Sequence, residues 1–334
     1  MIIPSTRPNA LAWHLALIAA GLQLLGNTLV QAYLLTASPM AGLLRQTYAR
    51  PDMAATTVVQ IVAGSLLIGL VTWCTMQGWL RRHGAGGVDR PRRLVAVLLA
   101  MSLVLFVLVS AGQALLHHGF YSLVTDHKEW LDNAFGRSGP ARMLLMVLPV
   151  KVCALLLAIL GGWLAVRIAA WSVTPDAGAL PPPYRPRHAA WIAALTLLLW
   201  QLQVGLIVGA YFMAYASSQQ WLDYALGYWV LPALVLALAA WTCLKSLPGH
   251  LGPAGFGRAF AHGTFAFWLT QALGVGLALL VLNAMSWRQI MRAAQMQTTT
   301  VLSLLIYGVL LALACRAGAR LFYRRAEPPR ANPA

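Results

Sequence analysis

Hydrophobic residues in this chain run in eight blocks separated by polar segments: 11–35, 56–80, 93–116, 142–168, 189–213, 228–247, 264–285 and 299–318. A helix needs about 20 mostly apolar residues to cross the hydrocarbon layer of a bilayer, and every block reaches that length. Backbone groups in lipid find no water to bond, so a spanning segment of this composition must be helical. The pattern predicts an all-α polytopic membrane protein with eight transmembrane helices. The first block is too long, and its basic flank (Arg7 alone) too weak, for a cleaved leader, so it reads as a retained helix.

The blocks carry an internal echo. Trp13, Ala16, Leu17, Gln23, Leu24 and Tyr33 of the first recur at one fixed spacing as Trp191, Ala194, Leu195, Gln201, Leu202 and Tyr211 of the fifth. Leu66, Leu70 and Trp73 of the second match Leu234, Leu238 and Trp241 of the sixth at a different spacing, and the last two pairs show no convincing identity. With an even number of helices in each copy, both copies enter the membrane the same way, so the repeat is parallel. The expected organisation is a first four-helix unit over 1–175, a Pro-rich linker over 176–188 and a second four-helix unit over 189–318. A basic tail over 319–334 completes it. Pro181, Pro182, Pro183 and Pro186 make the linker stiff and extended.

Composition agrees with this: of 334 residues 60% are hydrophobic and 10% charged, against about a quarter charged in soluble domains. A net charge of +16 is in the range of nucleic-acid binders, but its distribution points to a membrane. Arg81, Arg82, Arg90, Arg92, Arg93, Arg185, Arg187, Lys245, Arg258 and the tail arginines all fall on one side. Asp52, Asp126, Glu129, Asp132 and Asp223 fall on the other, which holds the smaller basic set Arg45, Arg50, Lys128, Arg137, Arg142, Arg288 and Arg292. That asymmetry is the positive-inside rule, and it predicts both termini in the cytoplasm of a plasma (inner) membrane. Topology accounts for the basicity, so no nucleic-acid partner is expected. Membrane lipids are, with other membrane subunits as a further class of partner.

No block contains Asp or Glu. Intramembrane carboxylates carry protons and bind sodium in many carriers, so coupling of that kind is not expected. Lys151 is the cation nearest mid-depth, two residues beyond Pro149, and placing it there costs about 2.5–3.5 kcal/mol with no acidic mate to offset it. It can bond carbonyls and water or meet an anionic ligand. Gln23, Asn27 and Gln31 are spaced four apart and share a helix face, as do Gln113 and His117. With Gln201 and further amides at Gln60, Gln203, Gln271 and Asn283, they either bond between helices or line a hydrated interior.

Outside the blocks, Asp126, Glu129 and Asp132 fall on one face of a short interfacial helix beside His127, in the aromatic segment 119–140. They are candidates for chemistry at the outer surface. No cofactor is predicted. Haem would need axial histidines at matching depth, and only His14 with His262, or His118 with a partner elsewhere, offers that. Cys74, Cys153, Cys243 and Cys315 form no CxxC pair, no metal site is expected, and no Walker, GxSxG or HExxH motif occurs. The leading expectation is a carrier or lipid-handling permease for an anionic or amphipathic ligand. Its rivals are a non-transporting membrane subunit and an enzyme of the outer interface.

Overall fold

The computed structural model describes residues 10–49, 51–135, 140–176, 184–205, 226–249, 251, 255–286, 289, 292 and 297–323. The chain forms α1 (Ala10–Thr36), α2 (Ala41–Tyr48), α3 (Pro51–Arg82), β1 (Gly87–Val88), α4 (Pro91–Asp126), α5 (Lys128–Phe135) and α6 (Pro140–Trp171). There follow β2 (Pro175–Asp176), α7 (Pro186–Trp200) and a π-helical turn Gln201–Gly205. After a second π-helical turn, Leu226–Val230, come α8 (Leu231–Ser246), α9 (Phe256–Ala284) and α10 (Gln297–Phe322). Eight helices of the described residues are long and apolar enough to cross a membrane, so the protein is an all-α, multi-pass membrane protein.

The chain divides into two compact units. The first takes Met1–Pro182 together with Gln201–Leu226, and the second takes Pro183–Trp200 and Gly227–Ala334. The sequence reading had placed the whole fifth block in the second unit. Within the first unit the long helices neighbour one another in the cyclic order α1, α3, α6, α4. Within the second the cycle runs α7, α8, α10, α9.

One end of the first unit is dry. Leu15, Met76, Trp79, Leu80, Leu94, Leu98, Ala165 and Ala169 form a buried cluster there. Beyond it, α3 stops at Gly84, whose φ of +63° is open to glycine and strained for other residues. The Ala85 amide donates back to the Leu80 carbonyl at 3.0 Å, the Schellman closure of a helix end. The chain then pairs Gly87 with Asp176 and Val88 with Pro175 in a two-residue antiparallel ladder. The Asp89 carboxylate accepts the Thr174 amide at 3.0 Å, and Pro91 opens α4 where its missing N–H is no loss. This ladder, which hydropathy did not announce, ties the α3–α4 connection to the end of α6.

At the opposite end the structure departs from the sequence reading. The third block was expected to end near residue 116, with a separate short interfacial helix in the segment 119–140. Instead α4 continues to Asp126 over 36 residues. No Gly–Pro pair or other breaker interrupts it, and a polar helix can leave the bilayer without stopping. His127 then departs from helical geometry, its ring Nδ1 donating to the Leu123 carbonyl at 3.0 Å. The three acids therefore do not lie on one helix: Asp126 closes α4, while Glu129 and Asp132 belong to α5.

The second unit is filled at its centre by aromatic rings. Trp200 and Phe267 are fully buried and stacked at 5.9 Å, and Trp200 Nε1 donates to Thr264 Oγ1 at 3.1 Å. Phe256, Ala259, Gly263, Ala266, Phe267 and Thr270 make an inward stripe along α9 at helical spacing. Cys243 of α8 and Cys315 of α10 bring their thiols within hydrogen-bonding reach, and all four cysteines are free.

Candidate functional site

The first unit contains a cavity of about 710 Å³. The faces that enclose it follow from helical spacing. From α1 come Ala19, Gln23, Asn27 and Gln31, and from α3 come Thr57, Gln60, Gly64 and Ile68. The α4 face offers Ser102, Phe106, Ser110, Gln113 and His117, and the α6 face Lys151, Ala154, Ala158, Gly161 and Ala165. Gln203, from the π-helical turn, completes the wall. Six residues singled out from the sequence (Lys151, Gln23, Asn27, Gln31, Gln113 and His117) are thus brought to one place.

Polarity is graded along the cavity. Toward the α2–α5 end amide, hydroxyl, imidazole and ammonium groups sit among Val30, Leu34, Ala114 and Val150. Toward the β-ladder end it becomes Ala19, Leu67, Ile68, Leu105 and the small residues of α6, and below these lies the dry cluster. The cavity is a cup, polar at its upper half and closed by packed hydrocarbon beneath.

Most of its polar groups are not spent on holding helices together. Among the described residues, Lys151 has no hydrogen-bond or ion-pair partner, and neither do the side chains of Gln23, Asn27, Gln60, Gln113 and His117. A contrast inside the same chain is Gln271 of α9, whose Nε2 donates to the Tyr307 hydroxyl at 3.4 Å. The α6 helix runs through Pro149 without interruption, so Lys151 is carried on continuous helix.

Two exceptions shape the cavity. Tyr48 of α2 donates its hydroxyl to Gln31 Oε1 at 3.4 Å, and Arg45 Nε donates to the Leu35 carbonyl at 2.8 Å, which docks α2 over the polar end. Gln203 Nε2 donates to the Gln60 carbonyl in a short bond. The absence of a side chain at Gly64 makes room for this, since a Cβ there would stand 3.2 Å from Gln203 Nε2. Gln203 is 1% exposed and its Oε1 has no partner. The α1–α4 contact includes the Phe106 ring seated on Gly26, where an added Cβ would come within 2.7 Å of the ring.

The remaining candidates lie elsewhere. Gln201 occupies the same π-helical turn as Gln203, lies against Gly205 and is not part of the cavity wall. Asp126, His127 and Glu129 are exposed, Asp132 is half-buried, and none of them lines the cavity. No three His, Cys, Asp or Glu side chains of the described residues are grouped to hold a metal ion. His14 Nδ1 donates to the Ala10 carbonyl and His262 Nε2 to the Cys315 carbonyl, while His118 is exposed. Asn283, Arg142, Asp223 and Tyr211 have side chains outside the described residues, as do the Pro181–Pro183 run and the tail beyond Tyr323.

Sequence reasoning named Gln203 among several amides without singling it out. The repeat pointed to Gln201, which matches Gln23. A π-helical turn advances each residue by a smaller angle than an α-helix does, so which of the two glutamines faces inward is decided by a local backbone feature. Compared with known protein families, with curated proteins and with solved structures, the chain matches none.

Proposed function

We propose that the protein is a membrane carrier or lipid-handling permease that binds an anionic or amphipathic ligand in the cavity of its first unit. The observation that carries this reading is an unpartnered Lys151 sharing one cavity with unpartnered amides. An ammonium in lipid costs a few kcal/mol, and amides turned to an empty space give up interhelical bonds worth about 0.6 kcal/mol each. A fold does not keep such a set for stability; an anion with acceptor oxygens would satisfy Lys151 and the amide donors together. No described carboxylate lines the cavity, which supports passive or partner-driven movement over proton or sodium coupling.

The wider frame is part of the same proposal. The two units derive from a parallel duplication, supported by the matching neighbour cycles and by the recurrence of Trp13 and Gln23 as Trp191 and Gln201. Both termini lie in the cytoplasm of a bacterial-type inner membrane, supported by the placement of the arginines. The α2–α5 end of the cup then faces outward. Asp126 and Glu129 are exposed, Asp132 is half-buried, and Asp126 stands on a different helix from the other two, which favours the cavity over an outer-surface site.

The test is to purify wild type and Lys151→Leu in a mild non-ionic detergent and identify what each retains. The expected result is an anionic species bound to wild type and absent from a folded Lys151→Leu, with partial retention in Lys151→Arg. An identical ligand profile in all three would reject the reading.

A further inference from the structure

Resting on the proposed ligand site, we infer a more specific occupant: a single-chain anionic amphiphile that enters from the bilayer between α1 and α4. Its head lies at Lys151 and its chain along the small-residue face of α6.

Three features lead there. The first is size. At about 710 Å³ the cavity is of the size of small-molecule sites and has room for a polar head with an alkyl chain.

The second is the shape of the polarity gradient. From Lys151 the lining of α6 continues as Ala154, Ala158, Gly161 and Ala165, a descent of about 21 Å at 1.5 Å per residue. Small side chains keep this face low down to Ala158; beyond it Val109 and Leu105 of α4 lie against Gly161, so the space narrows toward Ala165, which is 1% exposed. The facing walls are Leu67 and Ile68 of α3 and Leu105 of α4. Ser102 of α4 apart, the polar groups gather away from the ladder end, where Lys151 needs an anion and the unpartnered Gln203 Oε1 can accept a hydrogen from a hydroxyl or a protonated oxygen.

The third is access. Above the contact of Phe106 with Gly26, residues on both sides of the α1–α4 seam line the cavity and are also exposed: Val30 on α1, and Ser110, Gln113, Ala114 and His117 on α4. The outer faces of the same helices carry exposed Leu25, Leu29, Val107 and Leu115, which suit lipid. An opening in a lipid-facing seam admits a lipid-borne molecule without exposing its chain to water. Because hydrocarbon leaves one apolar medium for another, chain burial adds little affinity. The head supplies the affinity and the channel sets the length limit.

The experiment uses the full-length protein in nanodiscs of neutral phosphatidylcholine, doped separately with hexadecyl phosphate, palmitate, hexadecanol or dioleoyl phosphatidate. Retained ligand is read by native mass spectrometry. Wild type should retain one or both single-chain anions at least about tenfold more than the alcohol or the phosphatidate. The phosphate and carboxylate arms tell which head is preferred. Ala158→Leu, which fills the channel, should lose hexadecyl phosphate while keeping octyl phosphate. Leu105→Ala, which widens it, should retain hexadecyl phosphate and accept longer chains, and it serves should Ala158→Leu fail to fold. Preference for the phosphatidate, or no dependence on chain length in either variant, would overturn the single-chain inference while leaving an anion site at Lys151. Equal retention of hexadecanol and the anions would overturn both.

Discussion

Gly263→Ala is expected to unfold the second unit at temperatures where the wild-type chain stays folded, a loss of about 3 kcal/mol or more. A single added methyl does this because of what it would strike. A Cβ on Gly263 would collide with the Ala193 carbonyl oxygen and lie 2.7 Å from Thr196 Cβ. The first of these is backbone in the middle of α7, and it cannot rotate away as a side-chain tip can. Relief requires α9 to move off α7 along a seam in which Ala189, Ala193, Trp200, Phe256, Ala259 and Phe267 are all nearly or fully buried. Close approach through small residues is what holds helices together in lipid, where no hydrophobic drive exists between them. The matched control is Gly276→Ala on the same helix, which meets nothing within 4 Å and should be neutral or stabilising by up to about 1 kcal/mol. With Cys74 and Cys153 of the first unit replaced by Ala, reactivity of the buried Cys243 and Cys315 thiols toward a maleimide dye during heating reports on this unit. Equal midpoints for the two variants would mean that α7 and α9 do not cross as closely as described.

The same seam shows the limit of what could be read in advance. The stripe Phe256, Ala259, Gly263, Ala266, Phe267 along α9 recurs at three and four residues, but Phe260, Phe265, Trp268 and Leu269 between them are as apolar, so spacing alone does not mark the facing side. Which glycine is structural is not legible: Gly263, Gly274 and Gly276 look alike in sequence and differ only in what the neighbouring helix brings opposite. Hydropathy likewise locates where the chain meets lipid and is silent on where a helix ends. That is why the eight spans were found while α4 ran ten residues past its expected limit of 116 to Asp126. The two-residue ladder at Gly87–Val88 and Pro175–Asp176 is too short to leave any periodic trace.

For the cavity, the legible part was chemical. Polar side chains at four-residue spacing on an apolar helix must turn away from lipid, which placed Gln23, Asn27 and Gln31 on one face and Gln113 with His117 on another. That these faces enclose a space instead of bonding to each other depends on the small residues at Ala154, Ala158 and Gly161, ordinary in any apolar helix until the opposite wall is known. The assignment of Gln203 to the first unit follows from a turn that no periodicity encodes.

The second large effect is one of sign. Lys151→Leu is expected to make the ligand-free protein more stable, by about 2 kcal/mol, and the ligand-treated protein no more stable than that. Removing a Lys from mid-depth recovers most of the roughly 2.5–3.5 kcal/mol its insertion costs, the remainder being offset by water that enters the cup. A lysine that served the fold by bonding carbonyls would behave in the opposite way, because its loss would strand those partners. In wild type, a ligand present at about a hundred times its Kd adds roughly 2.7 kcal/mol through mass action, and in Lys151→Leu that increment should vanish. Delipidated protein unfolded by heat with and without hexadecyl phosphate separates the cases, with Lys151→Arg as the variant that keeps the charge and most of the increment. Should Lys151→Leu melt below wild type in the absence of ligand, Lys151 belongs to the scaffold and the cavity loses its claim on an anion. Should it melt above and ignore the amphiphile, the cost of a mid-membrane cation is being borne for the ligand.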